Sequence, residues 1–149
     1  MKIYLASSWK NQQAVLEMAD VLSGCGFEVD AFCRDGKRYT FHWTELVDSE
    51  ADLQKYDALS FLSDPRPQRA FAEDKKWLDW SDCVVMMKPC GNSAHLEAGY
   101  AKGKGKLLFI YGDFPLGQFD VMYGFVDGFF RPAELQELIR RLRGLDSGS

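Results

Sequence analysis

Two uninterrupted apolar runs, Cys83-Val84-Val85-Met86-Met87 and Leu107-Leu108-Phe109-Ile110-Tyr111, constrain the fold more than any other feature of this sequence. A strand that is apolar at every position has both faces covered, as the central strands of a parallel sheet do. Between the two runs, Ser93 to Lys104 reads as a helix stopped by Gly103 and Gly105, with Ser93 as its N-cap. The chain opens the same way. Ile3 to Ala6 reads as a short buried strand. From Gln12 the period changes to helical, with Val15, Met18 or Ala19, and Leu22 on one face; Asn11 stands as N-cap and Gly24 and Gly26 end the helix. Phe27 to Phe32 then alternates apolar and polar, the pattern of a half-buried strand. Each strand–helix–strand unit implies a parallel pair with a right-handed crossover.

The remainder is less regular. Arg34 to Asp64 mixes charges with aromatics and predicts a loop and one helix over Thr44–Lys55. Pro65 and Pro67 break the chain, and Ala70–Trp80 has helical spacing. Pro132–Arg143 is a terminal helix, with Leu135, Leu138, Ile139 and Leu142 along one face. The expected fold class is α/β: an open, doubly wound parallel sheet of about 4–5 strands, flavodoxin- or Rossmann-like, in a single domain over 1–145, with 146–149 a disordered tail. Ligands of such sheets sit at the carboxyl ends of the strands, which directs attention to the loops Ser7–Asn11 and Lys88–Ser93.

Composition narrows the function. A length of 149 residues suits one domain, and 46% hydrophobic with 27% charged residues describes a globular chain. The net charge of −4 argues against nucleic-acid polymers as partners. No apolar run reaches membrane-spanning length, and the amino terminus lacks a signal peptide's long apolar stretch. Cys25, Cys33, Cys83 and Cys90 form no CxxC pair and only two histidines accompany them, so no metal is expected. Reduced thiols and the missing leader point to a cytoplasmic protein.

The chemistry concentrates in Pro89 to Lys106: a glycine-containing loop, a helix, and a basic glycine-rich turn. Glu97 lies just past the first helical turn, where the helix dipole is expected to keep it ionised. An ionised carboxylate beside a ligand loop is a candidate nucleophile. His95, two residues earlier, reads as a structural or loop hydrogen-bonding residue, and Cys90 has no base partner in the sequence.

Ile3-Tyr4, Glu97-Ala98-Gly99-Tyr100-Ala101, and Gly105-Lys106 followed by the apolar strand form an ordered set. This set resembles the nucleoside 2-deoxyribosyltransferase family and its nucleotide N-glycosidase relatives. The resemblance implies that Glu97 is the nucleophile of a covalent glycosyl–enzyme intermediate. It places Asp74, eight residues before the Asp82 that opens the apolar strand, on the departing base as a contact or proton donor. Tyr4 and Trp9 match aromatic positions lining the sugar and base pocket. The family's transferases carry an Asp six residues before the nucleophile; here that position is Gly91, followed by Asn92 and Ser93. In the nucleotide-hydrolysing relatives, hydroxyl residues and a basic residue after the first strand grip a 5′-phosphate, a pattern met by Ser7, Ser8 and Lys10, with Ser93 as a second contact. Asp120, Met122 and Tyr123 fall where family members donate residues to a neighbouring subunit's pocket, implying a homodimer or larger assembly.

The implied activity is cleavage of the N-glycosidic bond of a (deoxy)nucleoside or its 5′-monophosphate, by hydrolysis or base exchange, with no cofactor required. Its rivals are a non-catalytic nucleotide-binding or sensor domain on the same fold, and a flavodoxin-like electron carrier.

Overall fold

The computed structural model describes residues 1–34 and 38–148. A five-stranded, all-parallel sheet has the order β2-β1-β3-β4-β5. Its strands are β1 (Lys2–Ala6), β2 (Glu28–Ala31), β3 (Cys83–Met87), β4 (Leu107–Tyr111) and β5 (Gly128–Phe130). The helices are α1 (Gln12–Gly24), α2 (Ala58–Leu62), α3 (Pro65–Trp80), α4 (Asn92–Gly103) and α5 (Leu135–Ser147). This strand order, with helices on both faces, is the flavodoxin-like arrangement.

The two-residue period of each strand sorts its side chains between two cores. Ile3, Leu5, Val85 and Phe109 pack against α1 and α5 through Val15, Met18, Leu22, Leu138 and Leu142. Tyr4, Ala6, Val84, Met86 and Leu108 face α3 and α4 through Leu78, Ala94, Ala98 and Ala101. All five residues of β3 are buried, as its apolar run requires. The small alanines let α4 lie close to the sheet, which brings Glu97, on that helix, near β1. No described helix is long and apolar enough to cross a membrane.

Several elements depart from the sequence expectations. The helix expected over Thr44–Lys55 is absent: two 3-10 turns, Trp43–Glu45 and Glu50–Lys55, flank an extended Ser49. Local side chains hold these turns, with His42 and Glu45 in a capping box and Ser49 Oγ donating to Asp52 at 2.9 Å. Short polar side chains that bond the nearby backbone or each other compete with a continuing helix. The proline pair opens α3 rather than breaking it. Asp64 accepts from the Arg66 amide and Pro65 takes the first turn, where its missing N–H is no loss. Ser93 is not an N-cap, because α4 already begins at Asn92 after Gly91. Asn11 makes no cap bond to α1; its Nδ2 donates to Ser7 Oγ at 3.1 Å, and Ser8 caps the preceding 3-10 turn. The strand β5 has no counterpart in the expectations. At the carboxyl end of the chain, α5 runs through Asp146, which pairs with the Met1 ammonium at 2.8 Å. The expected tail therefore does not begin at 146, and Ser149 lies outside the described residues.

Gly112 fixes the end of β4 against the loop after β3. Its φ is +142°, and a Cβ there would stand 2.8 Å from the Lys88 carbonyl oxygen and 2.9 Å from Lys88 Cβ. Gly112→Ala is expected to lower stability by about 2–3 kcal/mol, combining backbone strain with overpacking. A drop of this size in the urea midpoint at constant m-value is the readout.

Candidate active site

β1 lies between β2 and β3, so the chain leaves its carboxyl end on one side of the sheet and that of β3 on the other. A crevice at such a point is the usual ligand site of the fold. Ser7 spans it: its Oγ donates to the Met87 carbonyl at 2.8 Å and accepts from Asn11. Ser8 Oγ accepts from the Lys10 amide at 3.2 Å. Trp9 stands edge-on to Phe32 at 5.0 Å between centroids and is 37% exposed, and the Lys10 side chain is exposed. Across the crevice, Gly91, Asn92 and Ser93 are exposed at the amino end of α4. Backbone N–H groups at a helix amino end favour an anion.

Beneath this rim sit the titratable groups. Tyr4, on β1 and buried, shares a side-chain hydrogen bond with the half-buried Glu97 of α4. Asp74 of α3 lies close enough to both to repel their negative charge. Glu97 departs from the expectation of an ionised helix-start carboxylate. It is the sixth residue of α4, beyond the reach of the dipole's first turn. Burial instead raises its pKa to about 7, reinforced by Asp74 and Asp30 and opposed by the Tyr4 hydrogen bond and Arg38. The Tyr4 phenol is pushed up by burial, then by the charges of Glu97 and Asp74. Asp74 is also raised, by burial and Glu73 against the pull of Arg38.

Two residues of this cluster, Arg38 and Asp30, are absent from the sequence-derived set. Arg38 Nη2 donates to Asp74 Oδ1 at 2.7 Å and its Nη1 to Asp30 Oδ2 at 2.5 Å. Its guanidinium carbon lies 5.5 Å from the centre of the Tyr4 ring, and its side chain is 2% exposed. Asp30 is 7% exposed, and burial raises its pKa to about 6, with Arg38 opposing. A signal for Asp30 did exist. The apolar–polar alternation breaks at Ala31-Phe32, two consecutive apolar residues that are both buried, so both faces of the chain are covered at that end of β2.

The loop after β3 is tied to the segment after β4. His95 Nδ1 pairs with the Gly91 carbonyl at 2.8 Å, and His95 Nε2 with the Tyr123 hydroxyl at 3.0 Å; the two rings stack 5.8 Å apart. His95 is thus the loop hydrogen-bonding residue expected. Tyr123 rests on this chain's own helix, with Lys88 Nζ 5.6 Å from its ring centre. Asp120 caps the 3-10 turn Val121–Phe125 by accepting from the Met122 amide at 2.7 Å, and Met122 is exposed. Among the described residues no group of three or more His, Cys, Asp or Glu is placed to hold a metal ion.

Tyr4, Asp74 and Glu97 are therefore brought together, with the Ser7–Lys10 and Gly91–Ser93 loops at the same end of the sheet. No protein-family profile matches the chain, and no curated protein sequence does. Among solved structures, a CMP N-glycosidase from Clostridium botulinum matches with a TM-score of 0.56 and 14% identity, over 96% of this chain and 99% of that one. A 2-deoxyribosyltransferase from the psychrotolerant bacterium Bacillus psychrosaccharolyticus matches with a TM-score of 0.54 and 17% identity, over 87% of this chain and 85% of that one. At these identities the likeness is one of fold, and the chain has the fold of both enzymes across nearly all of its length.

Proposed function

We propose that the protein cleaves the N-glycosidic bond of a (deoxy)nucleoside or its 5′-monophosphate, with Glu97 as nucleophile and Asp74 on the departing base. The observation that carries this reading is the half-buried Glu97 carboxyl, held by Tyr4 beside Asp74 at the switch point of the sheet. The shared fold with a CMP N-glycosidase and a 2-deoxyribosyltransferase supports it. In the first step a Glu97 carboxylate oxygen bonds to C1′ as the C1′–N bond breaks. The electron pair leaves with the base, and Asp74 supplies the proton that neutralises it. In the second step water, or a second base, attacks C1′ from the vacated side, gives its proton to Asp74, and frees Glu97 as the carboxylate. This is the two-step logic of retaining glycosidases. Tyr4 orients the nucleophile, and Trp9 forms a wall of the pocket.

High-pressure liquid chromatography of free base, released from a panel of nucleosides and 5′-monophosphates, tests the reading. Release from at least one member at a rate that scales with enzyme is the expected result. Binding of a nucleotide with no release from any would point instead to a sensor.

A 5′-phosphate would lie between Ser7, Ser8 and Lys10 on one side and the amino end of α4 with Gly91, Asn92 and Ser93 on the other. The Lys10 side chain is exposed and makes no ion pair among the described residues. A charge-assisted hydrogen bond is worth about 1.5–3 kcal/mol net. Lys10→Ala is then expected to lower kcat/KM for monophosphates by roughly ten- to a hundredfold and to leave nucleosides nearly untouched. Equal losses on both substrate types would remove the phosphate site. With Gly91 in place of a transferase's Asp, hydrolysis of a monophosphate is the favoured form of the reaction.

The reading includes a homodimer or larger assembly, to whose neighbouring pocket Asp120, Met122 and Tyr123 contribute. Leu116, Phe119, Val121, Met122 and Phe125, all exposed, form the apolar surface that a second copy would cover. Sedimentation velocity across a concentration series distinguishes monomer from dimer.

A further inference from the structure

Asp30 forms its ion pair with Arg38 and not with Glu97 or Asp74. It sits on β2 in register with Tyr4 of β1, so both project from the same face of the sheet. Its carboxylate, 6% exposed, accepts from Arg38 Nη1, while Nη2 of the same guanidinium donates to Asp74. The same guanidinium also bears on the Tyr4 side chain, and its Nε is buried without a partner. One cation thus serves two carboxylates on different elements, above the ring of the tyrosine that holds Glu97.

We propose that Asp30 is a positioning residue that occupies half of Arg38 and so leaves Asp74 able to hold the proton taken up by the departing base. The inference rests on the N-glycosidase reading given above. A carboxylate that has an arginine to itself is lowered by about 1–3 pH units and is empty of protons near neutrality. Asp74 behaves otherwise: burial and Glu73 hold it above its ordinary range although Arg38 is 2.7 Å away. The groups facing it are Tyr4 from β1, Asp30 from β2, Arg38 itself, Glu73 from α3 and Glu97 from α4. Cys33 and Arg34 lie on the loop beyond β2; Arg34 is drawn towards Asp20 at 3.5 Å. The Arg38 charge is therefore divided, and the division decides which carboxyl gives it up. As the C1′–N bond breaks, the electron pair stays with the base nitrogen, the Asp74 proton moves to that nitrogen, and Asp74 becomes the carboxylate that Nη2 already faces. Asp30 keeps this stabilisation from being spent before the proton leaves.

The test is a carbon-13 NMR titration of the intact protein labelled at aspartate Cγ, with the Asp74 signal assigned through Asp74→Asn. In Asp30→Asn the Asp74 midpoint is expected to fall by about one pH unit or more, because Arg38 turns wholly to Asp74. Asp30→Ser removes the same charge and carries the same expectation if the asparagine variant does not fold. Asp30→Glu restores the charge and is expected to keep the parent midpoint. An Asp74 midpoint that stays put or rises when the Asp30 charge is removed overturns the proposal. On a nucleotide from which the parent releases base, the alkaline limb of kcat moves to lower pH by the same amount. A purely structural defect would lower kcat at every pH and leave the limb in place. If the parent releases no base from any substrate, the N-glycosidase reading falls, while the NMR midpoint still decides what Asp30 does to Asp74.

Discussion

Glu97→Ala is expected to abolish base release, with kcat lowered at least a thousandfold and the fold intact. A nucleophile cannot be replaced by orientation of the remaining groups, because the covalent intermediate then has no atom to form on. The side chain is half-buried and belongs to neither apolar core, so its removal opens no large cavity. Residual activity of more than a few per cent would exclude the nucleophile role. Glu97→Gln separates charge from shape. It is expected to bind substrate nearly as well as the parent and to be equally inactive. The same variant is expected to be more stable than the parent in alkaline solution. The folded pKa of about 7 lies above the ordinary 4.5, so the protonated carboxyl favours the folded state. That contribution is complete below the unfolded pKa and disappears as pH rises through about 7. Above neutrality the parent therefore carries a buried charge worth about 1–3 kcal/mol. Glu97→Gln removes it, and Tm at pH 8 should rise by roughly 5 °C, with little difference at pH 4.5. With Glu97 as the proposed nucleophile, the parent's kcat/KM is expected to fall about tenfold per pH unit below about 7, as that carboxylate takes up its proton.

The sheet was legible because β3 and β4 are apolar at every position, a pattern with few structural solutions. The helix bearing Glu97 was legible for a related reason: loop, helix and glycine turn follow a buried strand in an order that a crossover demands. The short edge strand β5 carries no such signal, being three residues that begin with a glycine closed in by Phe109 and Phe130. The stretch between β2 and α3 was illegible because nothing periodic builds it. Its 3-10 turns and short α2 are set by single side chains such as His42 and Asp57. Arg38 belongs to that stretch, and its partner Asp74 lies 36 residues further on. An ion pair across that separation leaves no mark in spacing, and only the packing of α3 onto the sheet reveals it. The charge state of Glu97 is illegible in the sequence for the same reason. The helix dipole is local and readable, whereas the burial that outweighs it comes from β1 and α3.

Removing the arginine at the centre of this cluster should have the largest effect on stability of any single polar substitution considered. Arg38→Met keeps most of the side chain's length and deletes its charge. Asp30 is then left buried with no cation, and Asp74, whose side chain is 38% exposed, loses its partner while keeping some water. Breaking a buried pair by removing one member typically costs about 3–5 kcal/mol, because the other charge stays behind. Both carboxyls have a way out, which is to bind a proton. Asp30 already titrates near 6 with the arginine present, and it moves higher without it. A raised folded pKa means that stability is retained at low pH and lost as pH rises, so the damage must depend on pH. At pH 8 the loss is expected to approach the full 3–5 kcal/mol, and at pH 5 to shrink to about 1–2 kcal/mol, the part due to packing and lost hydrogen bonds. Urea unfolding of parent and variant at the two pH values measures both numbers. A loss that is the same at pH 5 and pH 8 would mean that Asp30 and Asp74 carry no charge in the folded protein, and the division of Arg38 between them would have nothing to act on. Adding Asp30→Asn to Arg38→Met should then recover much of the loss at pH 8, since the stranded charge is removed together with its partner.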